Sequence, residues 1–493
     1  MKSIYIILIG AIVFSSCKKF LDEEPLHSLI DANAITNYEK AQAAVGGIYA
    51  TFQNDAWGGA LYLSMGTKSG FIDWTGLRDY ELSYTESNNS TNAVSTWAQF
   101  YKSLNAANFA IQGISELSDA SFPNEAAKTK LIAEAKCLRA WINANLLWNF
   151  GHWWAEDNDE YGLIYREEVS DITNIEKPRI SVGESYQKIY EDLDFAIASL
   201  ADFNSSRYVS KQFAKVLKAQ LLLRRAGMNN NASELQSALT LVNDVLSSLP
   251  ASLHIEADLA NVYAQAWDAD ECLFAKYLED DGSRTSKGGY WYTYGMIYQG
   301  NKLPLPPGGT LTAGLEYGVD WFKADPRWPI VTGEVRSPET WDASMNYTFS
   351  KLARLGSYAG RQQNEEKYAA YYFRIPQLYI MKAELLARTG APVSQAIAPI
   401  NEMRSMRTNP VLPSINPSTN EALMNDIFKE YFFETCFENG TELFTSLRFK
   451  NNGQPWIVAI KGGLPLVMNK ICWPIPENEI LNNPQVKQNP DLK

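Results

Sequence analysis

The chain has 493 residues, of which 46% are hydrophobic, so it can bury a large core in two to four domains or in one composite body. Its formal net charge is −12, which argues against nucleic acid as a partner and against broad contact with anionic lipid. Its three histidines (His27, His152, His254) are far apart in sequence, which argues against a histidine metal site and a histidine-based catalytic triad.

The first residues predict export. One basic residue precedes an apolar run from Ile4 to Phe14, and small residues then lead to Cys17. This pattern is typical of a secretory signal, and the run is shorter than the about 20 residues that a bilayer span needs. Cys17 predicts a lipoprotein that is cleaved before this residue and acylated on it; an ordinary cleavable signal with an incidental cysteine is the alternative. We therefore predict a signal over 1–16 and a lipidated tether over 17–35.

The cysteines that follow Cys17 have long and irregular spacings, which form neither a metal-binding pattern nor a small disulfide scaffold. In an exported protein two disulfides are possible, but we predict buried free thiols. The four residues are Cys137, Cys272, Cys436 and Cys472.

Apolar residues that recur at steps of three and four predict helices along most of the chain. One apolar stripe runs from Leu131 to Leu146, and Ser181 is the predicted N-cap of a later helix. Further helices are predicted over 181–200, 211–225 closed by Gly227, 232–249, 376–388, 394–407 and 421–437. Trp141, Trp148, Trp153 and Trp154 are assigned to the core or to the following turn. Short polar turns separate several of these helices, which favours tetratricopeptide-like pairs that bury their apolar stripes on one another.

Two stretches interrupt the helical pattern, over 55–96 and 282–360, and both are rich in glycine and aromatic residues. Long loops of this kind are usually functional or disordered, and their aromatic content favours an ordered, functional role. Near the end, Pro474 and Pro476 predict an extended strap over the body. The predicted regions are an N-terminal helical region over 36–270 with a ligand-loop insertion over 55–96, a loop-rich ligand-binding region over 271–373, and C-terminal helices with the strap over 374–493.

The most specific motif lies at the end of the chain. It is Trp-Pro-Ile-Pro-Glu-Asn-Glu-Ile over 473–480, followed by two Asn-Pro pairs at 483–484 and 489–490. This run closely resembles the ending of the SusD/RagB-like outer-membrane lipoproteins. Other resemblances to that family are the start Cys17 to Pro25, Arg139-Ala140 before Asn149-Phe150-Gly151, the segment Glu271 to Phe274, the turn Asp325-Pro326-Arg327, and Ile400-Asn401 with Arg404 and Arg407. Gln377 stands where an acidic residue is usual in the family.

The resemblance implies a mainly all-α fold of tetratricopeptide-like helix pairs with loop-rich insertions and minor β structure. It implies a non-catalytic lipoprotein, anchored at the outer-membrane surface of a Gram-negative bacterium and without a cofactor. Such a protein captures a glycan, an oligosaccharide or polysaccharide, and delivers it to a TonB-dependent β-barrel transporter of the SusC-like type. Capture of a peptide by the same kind of protein is the alternative.

Candidate ligand residues come from the two irregular stretches, because an aromatic plate stacks on the apolar face of a sugar ring and Arg, Asn or Asp groups hold its hydroxyls. Gly288 and Gly289 allow the backbone to turn sharply before the second group of aromatics. The predicted ligand residues are Trp74, Arg78, Trp97, Tyr290, Trp291, Tyr292, Tyr294 and Trp321, with Tyr80, Tyr84 and Tyr298 beside them.

Two other classes of function remain as alternatives. A glycoside hydrolase would use two carboxylates, but among 56 acidic residues a suitable pair always exists, so composition does not indicate one. A tetratricopeptide scaffold without a small ligand would be favoured by loops poor in aromatics, and these loops are rich in them.

Overall fold

The structure is a computed structural model that describes residues 34–52, 55–71, 84–85, 87–171, 173–277, 324–334 and 369–492, and the strand segments 296–297, 303–305, 309–311 and 347–349. The described part of the chain is mostly helical and has a few short strands. The predicted mainly all-α class is therefore confirmed.

Helices dominate both the N-terminal and the C-terminal parts. The first group is α1 (Tyr38–Thr51), α2 (Gly59–Ser69), α3 (Thr91–Glu116), α4 (Glu125–Phe150), α5 (Val182–Ser199), α6 (Lys211–Asn229), α7 (Ala232–Ser247) and α8 (Leu259–Gln265). The second group is α9 (Trp328–Val331), α10 (Pro376–Arg388), α11 (Val393–Met406), α12 (Asn420–Thr435), α13 (Thr441–Arg448), α14 (Trp456–Ile460) and α15 (Glu477–Asn482). Helix α2 lies inside the predicted insertion 55–96, where composition did not indicate a helix.

The long helices pack in chain order. Each of α3 to α6 packs against the helix that follows it, α7 then packs against α10, and α10 packs against both α11 and α12. Each helix thus buries its apolar face on its neighbours, as the predicted tetratricopeptide-like pairs require. Helix α4 lies inside this stack, because its last residues, from Cys137 to Phe150, are buried on every side.

Two helix ends show how local sequence sets the boundaries. Ser181 is the N-cap of α5, since its side chain accepts a hydrogen bond from the backbone of Glu184, and this prediction is confirmed. Gly227 was predicted to close α6, but the helix continues to Asn229 and ends at Asn230, which is left-handed with φ 58°. A Cβ atom on Gly227 would lie 2.7 Å from Cδ of Arg448, so the glycine allows close packing and does not end the helix.

The strands form small antiparallel sheets. They are β1 (Cys272–Tyr277), β2 (Met296–Ile297), β3 (Leu303–Leu305), β4 (Gly309–Leu311), β5 (Thr332–Glu334), β6 (Tyr347–Phe349), β7 (Ala369–Arg374), β8 (Lys450–Asn451) and β9 (Gln454–Pro455). The pairs are β1 with β7, β3 with β4 and β8 with β9, and β6 lies between β2 and β5. In the longest pair Cys272 lies opposite Arg374 and Tyr277 opposite Ala369, so the strand that enters the loop-rich region lies beside the strand that leaves it.

Aromatic side chains fill the centre of the body. Trp141 is buried, and its ring packs against Phe213 at 5.8 Å and against Tyr372 at 5.1 Å between ring centroids. Trp148 and Trp153 are also buried, and Trp154 packs at the edge of the same cluster, so the assignment of all four tryptophans to the core or turn is confirmed.

The four cysteines after Cys17 are all buried in the described body. Cys137 and Cys272 are free thiols, as predicted. Burial raises the pKa of the Cys137 thiol well above its usual value, and the nearby Glu134 carboxylate adds to the effect. The thiol is therefore protonated and chemically inert at neutral pH.

The predicted strap has no regular structure over 473–476, and these residues are buried. The backbone N–H of Trp473 donates to the carbonyl of Asn149 at 2.6 Å. The side-chain amide of Asn489 donates to the carbonyls of Phe150 (3.0 Å) and Trp473 (2.9 Å). Beyond Pro476 the chain forms α15 and does not stay extended, because the proline stands at the N-cap, ahead of the first turn, where it costs no helical hydrogen bond.

Candidate functional site

The first predicted ligand loop begins and ends on buried aromatic residues. Phe71, before the loop, is buried and stacks on Phe432 of α12 with 4.6 Å between ring centroids. Tyr84, after the loop, is buried, and the Lys461 ammonium lies 3.6 Å from its ring centre. Both ends of the segment between 71 and 84 are therefore attached to the C-terminal helices, far away in sequence.

The second predicted ligand region is attached beside the first. Its ends meet in the β1–β7 ladder, and β7 contacts the elements that precede the first loop. The hydroxyl of Tyr372 donates to the carbonyl of Trp57 at 2.7 Å. The hydroxyl of Tyr62, on α2, donates to the carbonyl of Tyr371 at 3.3 Å. The elements that precede the first region therefore contact the strand that ends the second region.

Helix α12 also holds the turn inside the second region. Arg327 is fully buried and forms a bidentate pair with Asp325, at 2.8 and 2.9 Å. The same guanidinium reaches Glu430 at 2.8 Å and Glu434 at 2.9 Å on α12, and it lies 5.3 Å from the ring centre of Phe433. Consecutive aromatic residues of α12, Phe432 and Phe433, thus contact the two ligand regions. We call this arrangement the α12 junction.

A buried network of charges continues from the α12 junction to the β1–β7 ladder. Arg374 pairs with Glu438 at 2.7 Å and also with Glu271 and Glu434. Arg407 pairs with Glu271 at 2.6 Å and with Glu434. Charge-assisted hydrogen bonds of this geometry fix side chains in one arrangement. The network therefore connects the loop-rich region rigidly to α11 and α12.

These carboxylates are structural. Burial alone would raise the pKa of Glu434, but Arg407, Arg374 and Arg327 together hold it well below the usual value. Asp325 is likewise buried, and Arg327 holds its pKa below the usual value. A carboxylate that is fully buried and held ionised by arginines cannot deliver a proton to a bound ligand. The network supports the loops and has no geometry for acid–base catalysis.

Within the described ranges, no group of three or more His, Cys, Asp or Glu side chains is placed to hold a metal ion. The two histidines in these ranges each approach an aspartate, His152 at 3.2 Å from Asp159 and His254 at 3.6 Å from Asp270. A search of the same residues finds no helix with the length and apolar character that crossing a membrane requires.

Trp97 is the predicted ligand residue whose side chain the structure describes. It lies on α3 with 7% of its surface exposed, and its ring packs edge-on against Phe150 at 4.9 Å and against Tyr101 at 4.6 Å. This burial contradicts the prediction that Trp97 contacts ligand, because the helix directs the ring into the core. Tyr84 is also buried, and the ammonium of Lys461 lies over its ring. The other predicted residues lie outside the described ranges: Trp74, Arg78, Tyr80, Tyr290, Trp291, Tyr292, Tyr294, Tyr298, Trp321 and the lipidation residue Cys17.

Sequence reasoning missed the residues that form the α12 junction. Phe432 and Phe433 lie among other apolar residues of α12, and nothing in their spacing separates them from ordinary core positions. The Asp325-Pro326-Arg327 turn was the available signal, since a buried arginine after a turn requires carboxylates elsewhere in the chain. The partners are 103 residues away, so only the fold identifies them.

Comparison with known proteins gives a consistent family. A family model of SusD-like proteins, described as starch-binding and associating with the outer membrane, matches residues 19–221. A SusD-like protein of Bacteroides ovatus is 26% identical over 62% of this chain, and the chain spans about half (52%) of that relative's length. A SusD-like protein of Formosa agariphila is 22% identical over 98% of this chain and 97% of its own.

Solved structures share the fold. A SusD superfamily protein of Bacteroides thetaiotaomicron superposes with a TM-score of 0.72 at 19% identity, covering 92% of this chain and 100% of its own. A laminarin-binding SusD-like protein superposes with a TM-score of 0.69 at 18% identity, covering 92% and 100%. NanU of Bacteroides fragilis superposes with a TM-score of 0.70 at 18% identity, covering 95% and 100%. The family model over residues 19–221, the curated relatives and the solved structures agree: the chain is similar to SusD-like proteins and shares their fold.

Proposed function

We propose that this protein is a non-catalytic glycan-binding lipoprotein of the cell surface, which delivers its ligand to a TonB-dependent outer-membrane transporter. The observation that carries the proposal is the α12 junction, where two aromatic-rich segments of the chain are attached side by side to one helix. A sugar-binding surface needs several aromatic rings from separate segments, and these segments must be held in fixed positions relative to one another. In this proposal the α12 junction holds the two segments in that way. A structural neighbour is a laminarin-binding protein, which supports a glycan as ligand.

The ligand surface in this proposal consists of Trp74 and Arg78 from the first loop and Tyr290, Trp291, Tyr292, Tyr294 and Trp321 from the second region. The aromatic rings stack on sugar faces, and Arg78 donates hydrogen bonds to hydroxyl groups. Affinity in the micromolar to millimolar range corresponds to about −8 to −4 kcal/mol. The carboxylates of the junction are buried in ion pairs, which agrees with binding that leaves the ligand unchanged.

The test is glycan binding by purified protein across a panel of polysaccharides and peptides, with analysis of the ligand afterwards. Trp74→Ala and Trp291→Ala are each expected to weaken glycan binding at least tenfold, because removing a central plate costs on the order of 2 kcal/mol. Tyr208→Ala is the matched control, since its ring is 49% exposed on the helical body. Its binding should equal that of the wild type.

The outcomes separate the alternatives. Normal glycan binding by both tryptophan variants would reject these residues as the site, and a large fall in their melting temperature would place them in the core. Binding of peptides in place of glycans would support the peptide alternative. Cleaved glycan after incubation would contradict a non-catalytic role.

The proposals for the location and the transporter rest on the N-terminal motif and on the similarity to SusD-like proteins. In this proposal Cys17 carries the acyl chains, and the tether after it lets the body close over the transporter like a lid. Purification from cells in mild detergent should recover a large β-barrel subunit with the wild type, and acyl label should be present. Cys17→Ala should lose the label and the membrane fraction. Recovery of unlabelled wild-type protein alone would contradict both parts.

A further inference from the structure

Two neighbouring arginines on α6 have opposite electrostatic surroundings. Arg225 is buried and paired, since its guanidinium contacts Asp157 at 2.5 Å and donates to the carbonyl of Ala155 at 3.1 Å. Arg224 is also buried, with 4% of its surface exposed, yet no carboxylate among the described residues forms an ion pair with it. Its Nη2 donates to the carbonyl of Asn439 at 2.9 Å. Its Nη1 is buried and has no hydrogen-bond partner among the residues that the structure describes.

Aromatic rings hold Arg224 in place. The centre of its guanidinium lies 4.0 Å from the ring centroid of Trp148 and 3.8 Å from that of Phe444. The two ring centroids are 5.7 Å apart, so the rings flank the guanidinium on adjoining sides, and each supplies cation–π attraction. The edge of the plane is where hydrogen bonds form, and Nη1 is the part of that edge left unsatisfied. A buried, unpaired charge is strongly unfavourable, so the site needs a counter-charge at this edge.

A small buried cavity lies at Arg224. Its volume is about 10 Å³ for the centre of a water-sized sphere, which is close to the room that one water or one small ion needs. Gln220, one helical turn before Arg224, lines the same cavity. Its Oε1 accepts a hydrogen bond from Asn439 at 3.4 Å, and its Nε2 is buried without a partner within the described ranges. The unsatisfied groups of the residues that line the cavity are therefore two N–H donors and the hydroxyl of Tyr431, which can also donate.

The surroundings of the cavity are positive. Arg448 also lines it, and this arginine pairs with Glu384 at 2.8 Å. Glu384 also forms an ion pair with Arg388 at 2.8 Å, so its single negative charge is shared by two arginines. Burial and the charge of Arg448 both lower the pKa of Arg224, but a guanidinium stays charged in proteins. Two donors beside an uncompensated positive charge form an anion site.

We propose that this cavity binds one small monovalent anion, chloride, through Arg224 Nη1 and Gln220 Nε2. A water molecule would fill the same space and could accept from both donors, but it could not supply the missing charge. Larger anions exceed the space. The anion neutralises the charge of Arg224 and thereby stabilises the packing of α6 against α13.

Thermal unfolding at constant ionic strength tests the site, with sodium chloride replaced stepwise by sodium methanesulfonate. For a ligand that binds only the folded state, the wild-type melting temperature should rise by roughly 1–2 °C for each tenfold increase in chloride above its Kd. Arg225→Gln is the matched control, because it removes an equally buried but paired arginine next to the site. Its melting temperature should depend on chloride as that of the wild type does.

Gln377→Glu provides the second variant. Gln377 lines the cavity, and glutamate has nearly the same size and supplies a negative charge from the chain itself. This variant should fold, and its melting temperature should not depend on chloride. In crystals grown with bromide, an anomalous peak should lie in the cavity of the wild type and be absent from that of Gln377→Glu.

Three results would overturn the proposal. They are a wild-type melting temperature that is the same in chloride and methanesulfonate, a chloride dependence that is equal in the wild type and in Gln377→Glu, and a wild-type cavity without an anomalous peak in bromide. The last result together with electron density for a water would assign the cavity to water.

Discussion

The pair formed by Glu384 and Arg448 allows the sharpest prediction of stability. Glu384 is fully buried on α10, and both of its oxygens accept hydrogen bonds from Arg448 at 2.8 Å. Burial would raise its pKa, but Arg448 and then Arg388 lower it from 4.5 to about 2. A pKa difference of this size between the folded and the unfolded protein corresponds to about 3 kcal/mol of folding free energy. The carboxylate is fully buried, so solvent screens it little.

The sign of the pH dependence follows from the lowered pKa. Because the folded protein holds Glu384 ionised more strongly than the unfolded chain does, the stabilisation is complete above about pH 4.5. It is lost as the pH falls from 4.5 to about 2. Glu384→Gln should reduce the free energy of unfolding at neutral pH by about 3–5 kcal/mol, since Arg448 is left buried without its partner. For a chain of this length that equals roughly 3–5 °C in melting temperature.

Urea unfolding of the wild type and of Glu384→Gln over a series of pH values measures the effect. The difference in the free energy of unfolding should be constant near neutral pH and should shrink as the pH falls from 4.5 to about 2. Glu402→Gln, an exposed carboxylate on α11, is the control and should change little. A difference below about 1 kcal/mol at neutral pH, or one that does not vary with pH, would refute the reasoning.

Three further substitutions test the packing. Gly227→Ala should destabilise the protein by about 1–3 kcal/mol, because its Cβ would meet Arg448, whereas Gly46→Ala, on the open face of α1, should stabilise it by up to about 1 kcal/mol. Equal effects of the two substitutions in urea unfolding would contradict the close approach at α6. Arg327→Lys keeps the charge but loses the bidentate contact with Asp325, and should lower the free energy of unfolding by at least about 2 kcal/mol. An unchanged unfolding midpoint would show that the α12 junction does not depend on the guanidinium.

The sequence predicts the helical body well because helices are local. Apolar spacing placed α10 at its observed bounds, and the hydroxyl of Ser181 marked the start of α5. The sequence places the end of α6 too early, because a glycine such as Gly227 can either end a helix or allow close packing. Only the neighbouring Arg448 shows that this glycine allows close packing. Pro476 was read as excluding a helix, although a proline just before the first turn permits one.

The candidate site was less predictable because the residues that hold it in place are distant from one another in sequence. Composition identified two aromatic-rich stretches, but not that both are attached to α12. Trp97 shows the limit of composition alone, since it directly follows the first stretch and yet lies inside the core. The structure also contains dense ion pairs around Glu384 and Glu434. Ion pairs between partners that are 60 or more residues apart cannot be read from local spacing.

The β1–β7 ladder affects how the length of the loop-rich region can change in evolution. Its register places Tyr277 opposite Ala369, so the two ends of the intervening segment start from neighbouring positions on the body. Closing a flexible segment between fixed ends costs only about 0.6 kcal/mol more for each doubling of its length. The helical stack therefore tolerates insertions and deletions in this segment outside the turn Asp325–Arg327 at little cost to its own stability. One scaffold can in this way carry segments of different length and composition, and specificity can change in evolution while the core stays the same.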